Sequence, residues 1–190
     1  FNIALIILGG TLVGHGIINN KSFFSNRNLP TLNLKSKIFY FNMIKVLAMY
    51  KNPIITLLSD FGLVDSYVAE MKAVILSINP SATLIDISHN IEPYNVRMGA
   101  YILARIVEYF PEKTIHLAVV DPGVGGPRKP IIVETLKALF VGPDNGLLML
   151  AAEKLGVNHV YQIENRRYML KEISKTFHGR DIFAPVAAYL

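Results

Sequence analysis

From Ile54 onward the chain repeats one pattern. A short apolar run ends in an acidic or polar cluster, and apolar residues at helical spacing usually follow. "PIITLLSDFG" predicts a strand closing at Ser59 and Asp60, and "DSYVAEMKAVILSINP" predicts a helix N-capped by Asp65 or Ser66 with Pro80 just past its end. A second strand, "TLIDISHN", leads into a helix over "EPYNVRMGAYILARIVEYFP" that Pro111 closes. The third strand, "TIHLAVVD", precedes a glycine-rich loop and then the runs "PIIVET" and "ALFVGPDNG". A helix through "GLLMLAAEKLG", a strand at "HVYQI" and a last helix over "GRDIFAPVAAYL" complete the series. Strands alternating with helices argue a layered α/β/α domain. Continuous apolar strands such as "LAVV" fit a mostly parallel central sheet, buried on both faces.

This pattern has a functional consequence. Asp60, His89, Asp121, Asp144 and Asn145 all stand just beyond the ends of predicted strands. Ligands of open α/β sheets bind outside the carboxyl ends of the strands, so parallel neighbours would bring these groups to one crevice. The plainer alternative is that each caps a helix or a turn.

Residues 1–52 differ from the rest. "FNIALIILGGTLVGHGII" is apolar over about the length of a thin membrane span, yet it holds four glycines, begins without methionine and has no basic region before it. Two readings stay open: a weak membrane or interfacial segment over residues 1–18, or a stretch outside the mature protein with initiation at Met43 or Met49. The following "NNKSFFSNRNLPTLNLKSK" reads as a polar linker, which puts the domain boundary near Pro53 and leaves residues 53–190 as the α/β domain. The extension is expected to pack poorly on that domain.

Charge follows the same division. The chain of 190 residues carries a formal net charge of +5, but six of its 19 Lys and Arg lie in residues 1–52, which hold no Asp or Glu. The other 13 face all 14 acidic residues, so the basic balance belongs to the leading segment and gives the domain no nucleic-acid signature. There is no cysteine, which rules out disulfides and cysteine-ligated zinc.

The loop "LAVVDPGVGGPRKP" concentrates the candidate chemistry. It lacks the Gly-Lys-Ser/Thr ending of a phosphate-binding P-loop. Pro127, Pro130 and a β-branched run follow its glycines, so no helix N-terminus is available to hold a pyrophosphate. "DFG" at Asp60 and "HGRD" at His178 imitate kinase motifs in the wrong order and with an inserted glycine. What remains is a turn whose glycines let the backbone approach a ligand, with Asp121 and Arg128 seven residues apart. His178, between Phe177 and Gly179 ahead of the last helix, joins them as a candidate. The alternatives are a surface arginine and a structural histidine.

Four separated stretches carry a resemblance: "LLSDFGLVDSYVAEMKAVILSINPSATLIDISHNIEP", "AVVDPGVGGPRKPIIVET", "FVGPDNGLL" and "SKTFHGRDIFAPVAA". Together they resemble the S-adenosylmethionine (SAM) hydrolases, or SAM hydroxide adenosyltransferases, relatives of the SAM-dependent fluorinase and chlorinase. The resemblance runs from about Ile54 to Leu190. It implies attack of water or hydroxide at C5′ of the SAM ribose, giving adenosine and L-methionine without metal or other cofactor. By position, Asp121, Arg128 and His178 match the residues that serve the water in that family. Asp60 matches the aspartate that accepts the ribose hydroxyls. Asp65 and Tyr67 fall where the methionine end is held, although the halogenases have serine at the position of Tyr67.

Tyr94 matches a pocket aromatic, tryptophan in the halogenases, and Phe177 a wall of the nucleophile pocket. Gly179 replaces a halide-binding serine, and Asp121 stands where the halogenases use tyrosine. A carboxylate would repel a halide, so the resemblance favours hydrolysis over halogenation. It further implies a cytoplasmic homotrimer, with no nucleic acid as partner, in which a second, β-rich domain contributes to the site. The chain ends at Leu190 inside a predicted helix, so the expectation is an α/β domain truncated at its C-terminus. An inactive or weakly nucleoside-binding domain is the alternative function.

Overall fold

The computed structural model describes residues 52–190 together with two short strands, β1 (Ile7–Leu8) and β2 (Thr11–Leu12), which pair antiparallel. The expectations for the leading segment lie otherwise outside the described residues. Among those described, no helix is long and apolar enough to cross a membrane.

Six further strands form one sheet: β3 (Ile54–Ser59), β4 (Thr83–Ser88), β5 (Ile115–Val119), β6 (Pro130–Thr135), β7 (Leu139–Pro143) and β8 (Val157–Gln162), in the order β4-β3-β5-β7-β6-β8. The first four in that order are parallel neighbours, whereas β6 runs antiparallel to both β7 and β8. The sheet is therefore mixed. A chain leaving β6 needs only the short turn at Leu136 and Lys137 to return as β7, and so short a connection permits only an antiparallel pair.

Alternation along the buried strands sends successive side chains to opposite faces. Leu57, Leu117 and Val119 join Met71 and Ile75 of α1 (Tyr67–Ile78) and Val186 of α4 (Ala184–Tyr189) on one side. Leu58, Ala118 and Val120 join Leu103 of α2 (Val96–Ile106) and Ala151 of α3 (Met149–Lys154) on the other. Each face thus acquires its own helix pair, giving the three-layer arrangement. The edge strand β8 is exposed throughout.

Two helix termini differ from the simple sequence expectation. Neither Asp65 nor Ser66 caps α1 with its side chain: the Ser66 hydroxyl donates to Glu70 Oε1 at 2.6 Å, and Asp65 Oδ1 accepts from the Ser66 amide at 2.6 Å. The last helix is not uniform either. Gly179–Phe183 form a π-helical turn before α4 begins. Pro185 has no amide hydrogen for the Asp181 carbonyl, four residues earlier, and its ring would crowd that oxygen in a regular α-helix. The freed carbonyl instead accepts from the Leu170 amide at 2.9 Å.

The sheet itself carries a buried titratable ring on β5. His116 is fully buried, stacks on Phe140 with ring centroids 5.0 Å apart, and shares a 2.8 Å hydrogen bond through Nδ1 with Thr56 Oγ1. Burial pushes its pKa down to about 4, because the charged form loses its water. The unfolded chain, with an ordinary value of 6.5, binds the proton first as pH falls. This contribution to stability is therefore complete above pH 6.5 and is lost between there and pH 4, about 3 kcal/mol in all. Denaturant unfolding of the wild type and of His116→Phe between pH 7.5 and 4 should show the wild type losing stability more steeply. Parallel curves would mean that the buried ring titrates as it does in the unfolded chain.

Candidate active site

The parallel order of β4, β3, β5 and β7 places their carboxyl ends along one edge of the sheet. A cleft of about 310 Å³ opens there. Asp60 and Phe61 reach it from the end of β3, and Pro93 and Tyr94 from the chain after β4. Val119, Asp121 and Val124 come from β5 and its loop, and Thr176, His178 and Gly179 from the segment that leads into the π turn and from its first residue.

Asp121, Arg128 and His178 form one connected group. Arg128 donates from Nε to Asp121 Oδ2 at 2.8 Å, and its Nη2 donates to the same oxygen and, at 2.7 Å, to His178 Nδ1. The ion pair is largely dry, with side-chain exposures of 9% for Arg128 and 4% for Asp121. A guanidinium can only donate, so His178 Nδ1 must accept, and the neutral ring carries its hydrogen on Nε2. Burial and then the Arg128 charge hold the His178 pKa below 6.5, against the opposing charges of Asp121 and Asp181. Arg128 also lies over the Phe183 ring, 5.3 Å from its centroid.

The other carboxylate oxygen is the informative one. Asp121 Oδ1 is buried and has no hydrogen-bond partner among the described residues. An unsatisfied buried acceptor costs free energy, and such groups in a cleft mark places where a polar ligand or water belongs.

The glycines explain how a loop after β5 meets a segment 50 residues later. Asp121 to Gly126 fold into successive tight turns, with the Val124 amide on the Asp121 carbonyl and the Gly126 amide on the Gly123 carbonyl. Gly125 has φ +73°, and a Cβ there would lie 2.3 Å from the Lys175 carbonyl oxygen. Only glycine permits both the left-handed backbone and this approach.

These features coincide with a known family. Residues 55–190 match the family model described as the SAM hydroxide adenosyltransferase N-terminal domain. The chain belongs to the SAM hydroxide adenosyltransferase family. A relative from Methanocaldococcus jannaschii, named (R)-S-adenosyl-L-methionine hydrolase, is 49% identical over 140 residues, covering 71% of this chain and 52% of its own. A protein of the same name from Salinispora tropica is 47% identical over 143 residues, covering 75% and 54%. A fluorinase from Actinoplanes sp. is more distant, 28% identical over 162 residues. The crystal structure of a conserved protein from Thermotoga maritima superposes with a TM-score of 0.70 at 52% identity, covering 71% of this chain and 53% of that one. The chain spans about half the length of the curated relatives it matches.

The remaining residues matched to the family by position are placed unequally. Asp60 and Tyr94 line the cleft, and Asp60 Oδ2 accepts from the Tyr94 amide at 2.8 Å, which holds Tyr94 at φ +64° with its ring largely exposed. Gly179 lines it too, and a Cβ there would lie 3.1 Å from the Phe61 ring. Phe177 and Tyr67 stand behind, edge to face with centroids 4.5 Å apart, and Phe177 packs on Phe61 in the same way at 5.8 Å. Asp65 remains in the exposed loop before α1, in contact with Ser66, and is not brought to the cleft.

Of the strand-end residues, only Asp60 and Asp121 line the crevice. His89 is buried as a strut between Ser59 Oγ at 2.7 Å and Asp86 Oδ1 at 3.0 Å. The Asn145 side chain donates to the Val120 carbonyl at 2.9 Å, and the Asp144 amide donates to the Lys129 carbonyl. These residues fix the strand ends and loops that carry the site.

Sequence reasoning passed over Phe61, Val124 and Thr176, which carry no signal beyond adjacency to candidates. It also passed over the charged cluster of Glu70, Arg180 and Asp181. Asp181 had a signal, being an acidic residue in an otherwise apolar run.

Gly125→Ala should force the two loops apart and lower the unfolding free energy by about 1–3 kcal/mol, from left-handed strain and the clash with Lys175. Chemical denaturation measures it. An unchanged midpoint and slope would show that the close approach is absent in solution.

Proposed function

We propose that the protein hydrolyses SAM to adenosine and L-methionine by attack of water at C5′ of the ribose. The observation that carries this reading is the buried, unpartnered Asp121 Oδ1 at the cleft, beside a histidine whose tautomer Arg128 dictates. The relatives named SAM hydrolases supply the substrate.

The chemistry follows from the groups present. Water is a weak nucleophile, whereas a sulfonium is a good leaving group because its positive charge vanishes as the C5′–S bond breaks. The sulfur keeps that electron pair and leaves as the thioether of methionine, while the water oxygen bonds to C5′. As the new bond forms, the oxygen gains positive charge and its proton becomes strongly acidic, so a carboxylate is a sufficient acceptor. Asp121 Oδ1 takes that proton. His178 Nε2–H donates to the water and fixes its orientation, and Arg128 holds both partners while favouring any hydroxide character.

Asp60 stands at the rim to receive the ribose hydroxyls, and Tyr94, Phe177 and Gly179 shape the pocket, with Tyr67 behind Phe177. Asp65 is assigned to the methionine end, which requires its loop to close on the substrate. The carboxylate at 121 and the absence of a side chain at 179 disfavour halide as nucleophile. The reaction needs neither metal nor cofactor. A homotrimer, a cytoplasmic location and a substrate site independent of nucleic acid or membrane complete the proposal.

Incubation with SAM in 18O-labelled water, with and without chloride, tests it by chromatography and mass spectrometry. Adenosine bearing the label, plus methionine, is the expected outcome in both buffers. Methylthioadenosine with homoserine would move the attack to the other side of sulfur, and 5′-chloroadenosine would reinstate halogenation. Asp121→Asn, Arg128→Ala and His178→Ala should each lower kcat by about 10²-fold or more. Full activity in any of them would sink the assigned role.

A further inference from the structure

The segment that carries His178 is held from both sides. Besides the Arg128 contact, the Arg180 guanidinium donates from Nη1 to Glu70 Oε2 at 2.7 Å and from Nε to Asp181 Oδ1 at 2.6 Å, and lies over the Phe177 ring at 4.7 Å. Glu70 belongs to α1, a helix fixed on the sheet by the buried Met71 and Ile75, and its second oxygen takes the Ser66 hydroxyl at 2.6 Å. Asp181 is completely buried, and its Oδ2 accepts from the Ser174 amide at 2.7 Å, closing residues 174–181 into a loop.

An isolated ion pair as exposed as Glu70 and Arg180, at 35% and 32%, contributes little to stability. This one is not isolated. The same guanidinium neutralises a buried carboxylate, and it does so two residues from His178 in a π turn, a conformation that needs support from its surroundings.

We propose that Arg180 is a positioning residue, which ties Asp181 and the π turn to Glu70 of α1 and thereby holds the His178 ring at its contact with Arg128. This rests on the reading of His178 as part of the active site, and one of its tests is independent of activity. Glu70 is the outer half of the tie and Arg180 the inner half. Loosening either lets the segment drift from α1 and takes the imidazole away from Arg128 toward water.

Glu70→Gln keeps shape and removes charge at a partly exposed position, and Arg180→Lys keeps charge but loses the two-pronged grip. Both should lower kcat about 10-fold with KM within about twofold, because a misplaced orienting group affects the reacting geometry more than binding. Arg180→Ala should fall further, and the Glu70→Gln/Arg180→Lys double variant should be no worse than the poorer single one.

The independent readout is the imidazole titration of His178 by NMR, where the ring faces Arg128, Asp121 and Asp181. In the wild type it lies below 6.5, and in Glu70→Gln it should rise toward 6.5. Removing a negative charge would by itself lower an imidazole pKa, so a rise reports displacement. Unchanged titration and unchanged kcat in both Glu70→Gln and Arg180→Lys would overturn the proposal and leave a structural ion pair. If the wild type does not turn over SAM, the functional reading fails, while the titration still decides whether Arg180 holds His178. Should Arg180→Ala fail to fold, the Glu70→Gln measurements stand alone.

Discussion

The site depends on the Arg128 guanidinium lying between Asp121 and His178. Burying a cation is costly unless an anion and hydrogen-bond acceptors replace its water, and here Asp121 supplies the anion and His178 Nδ1 a further acceptor. Because arginine cannot accept, the arrangement leaves His178 one neutral form, and because Nε and Nη2 both donate to Oδ2 it leaves the other Asp121 oxygen without a partner among the described residues. A single contact thus joins two loops, sets a tautomer and leaves a buried acceptor unpartnered beside the cleft.

The scaffold delivers these groups by different means. Asp121 lies two residues beyond the end of the buried parallel strand β5, which sets where it enters the cleft. Arg128 comes from the loop entering β6, the strand whose reversed direction brings the chain back along the same edge. His178 belongs to the closing segment, which the core holds through Phe183 and Val186 and α1 holds through Arg180. The loop between β5 and β6 and a segment about 50 residues later meet at a spacing set by backbone approach at Gly125 and by side-chain charge on either flank.

Much of this could be read from the residues. Short continuous apolar runs marked the strands, and the polar residues after them pointed to the sheet edge where the cleft opens. Asp121 and Arg128 stood out because glycines and prolines excluded the phosphate-binding alternatives. Other features depend on contacts that local sequence does not encode. The antiparallel insertion of β6 follows from a short turn and not from its composition. The π turn arises where Pro185 meets the carbonyl of Asp181, a conflict masked by the good helical spacing of "DIFAPVAAYL". Glu70 and Arg180 are 110 residues apart, and either alone resembles an ordinary surface charge. His89 had the composition of a site residue, but Ser59 and Asp86 hold it as a strut.

If Asp60 receives the substrate as proposed, ring placement at Tyr94 and ligand capture become one equilibrium. Its left-handed backbone stores strain of order 1 kcal/mol, and the Asp60 carboxylate retains it by taking the amide hydrogen. A hydroxyl arriving at Asp60 meets a carboxylate already shared with the backbone. Any redistribution of that oxygen's lone pairs changes the grip on Tyr94, and by reciprocity any shift of the Tyr94 backbone changes how strongly Asp60 attracts a donor. The aromatic wall and the polar anchor of the cleft therefore behave as two ends of one lever.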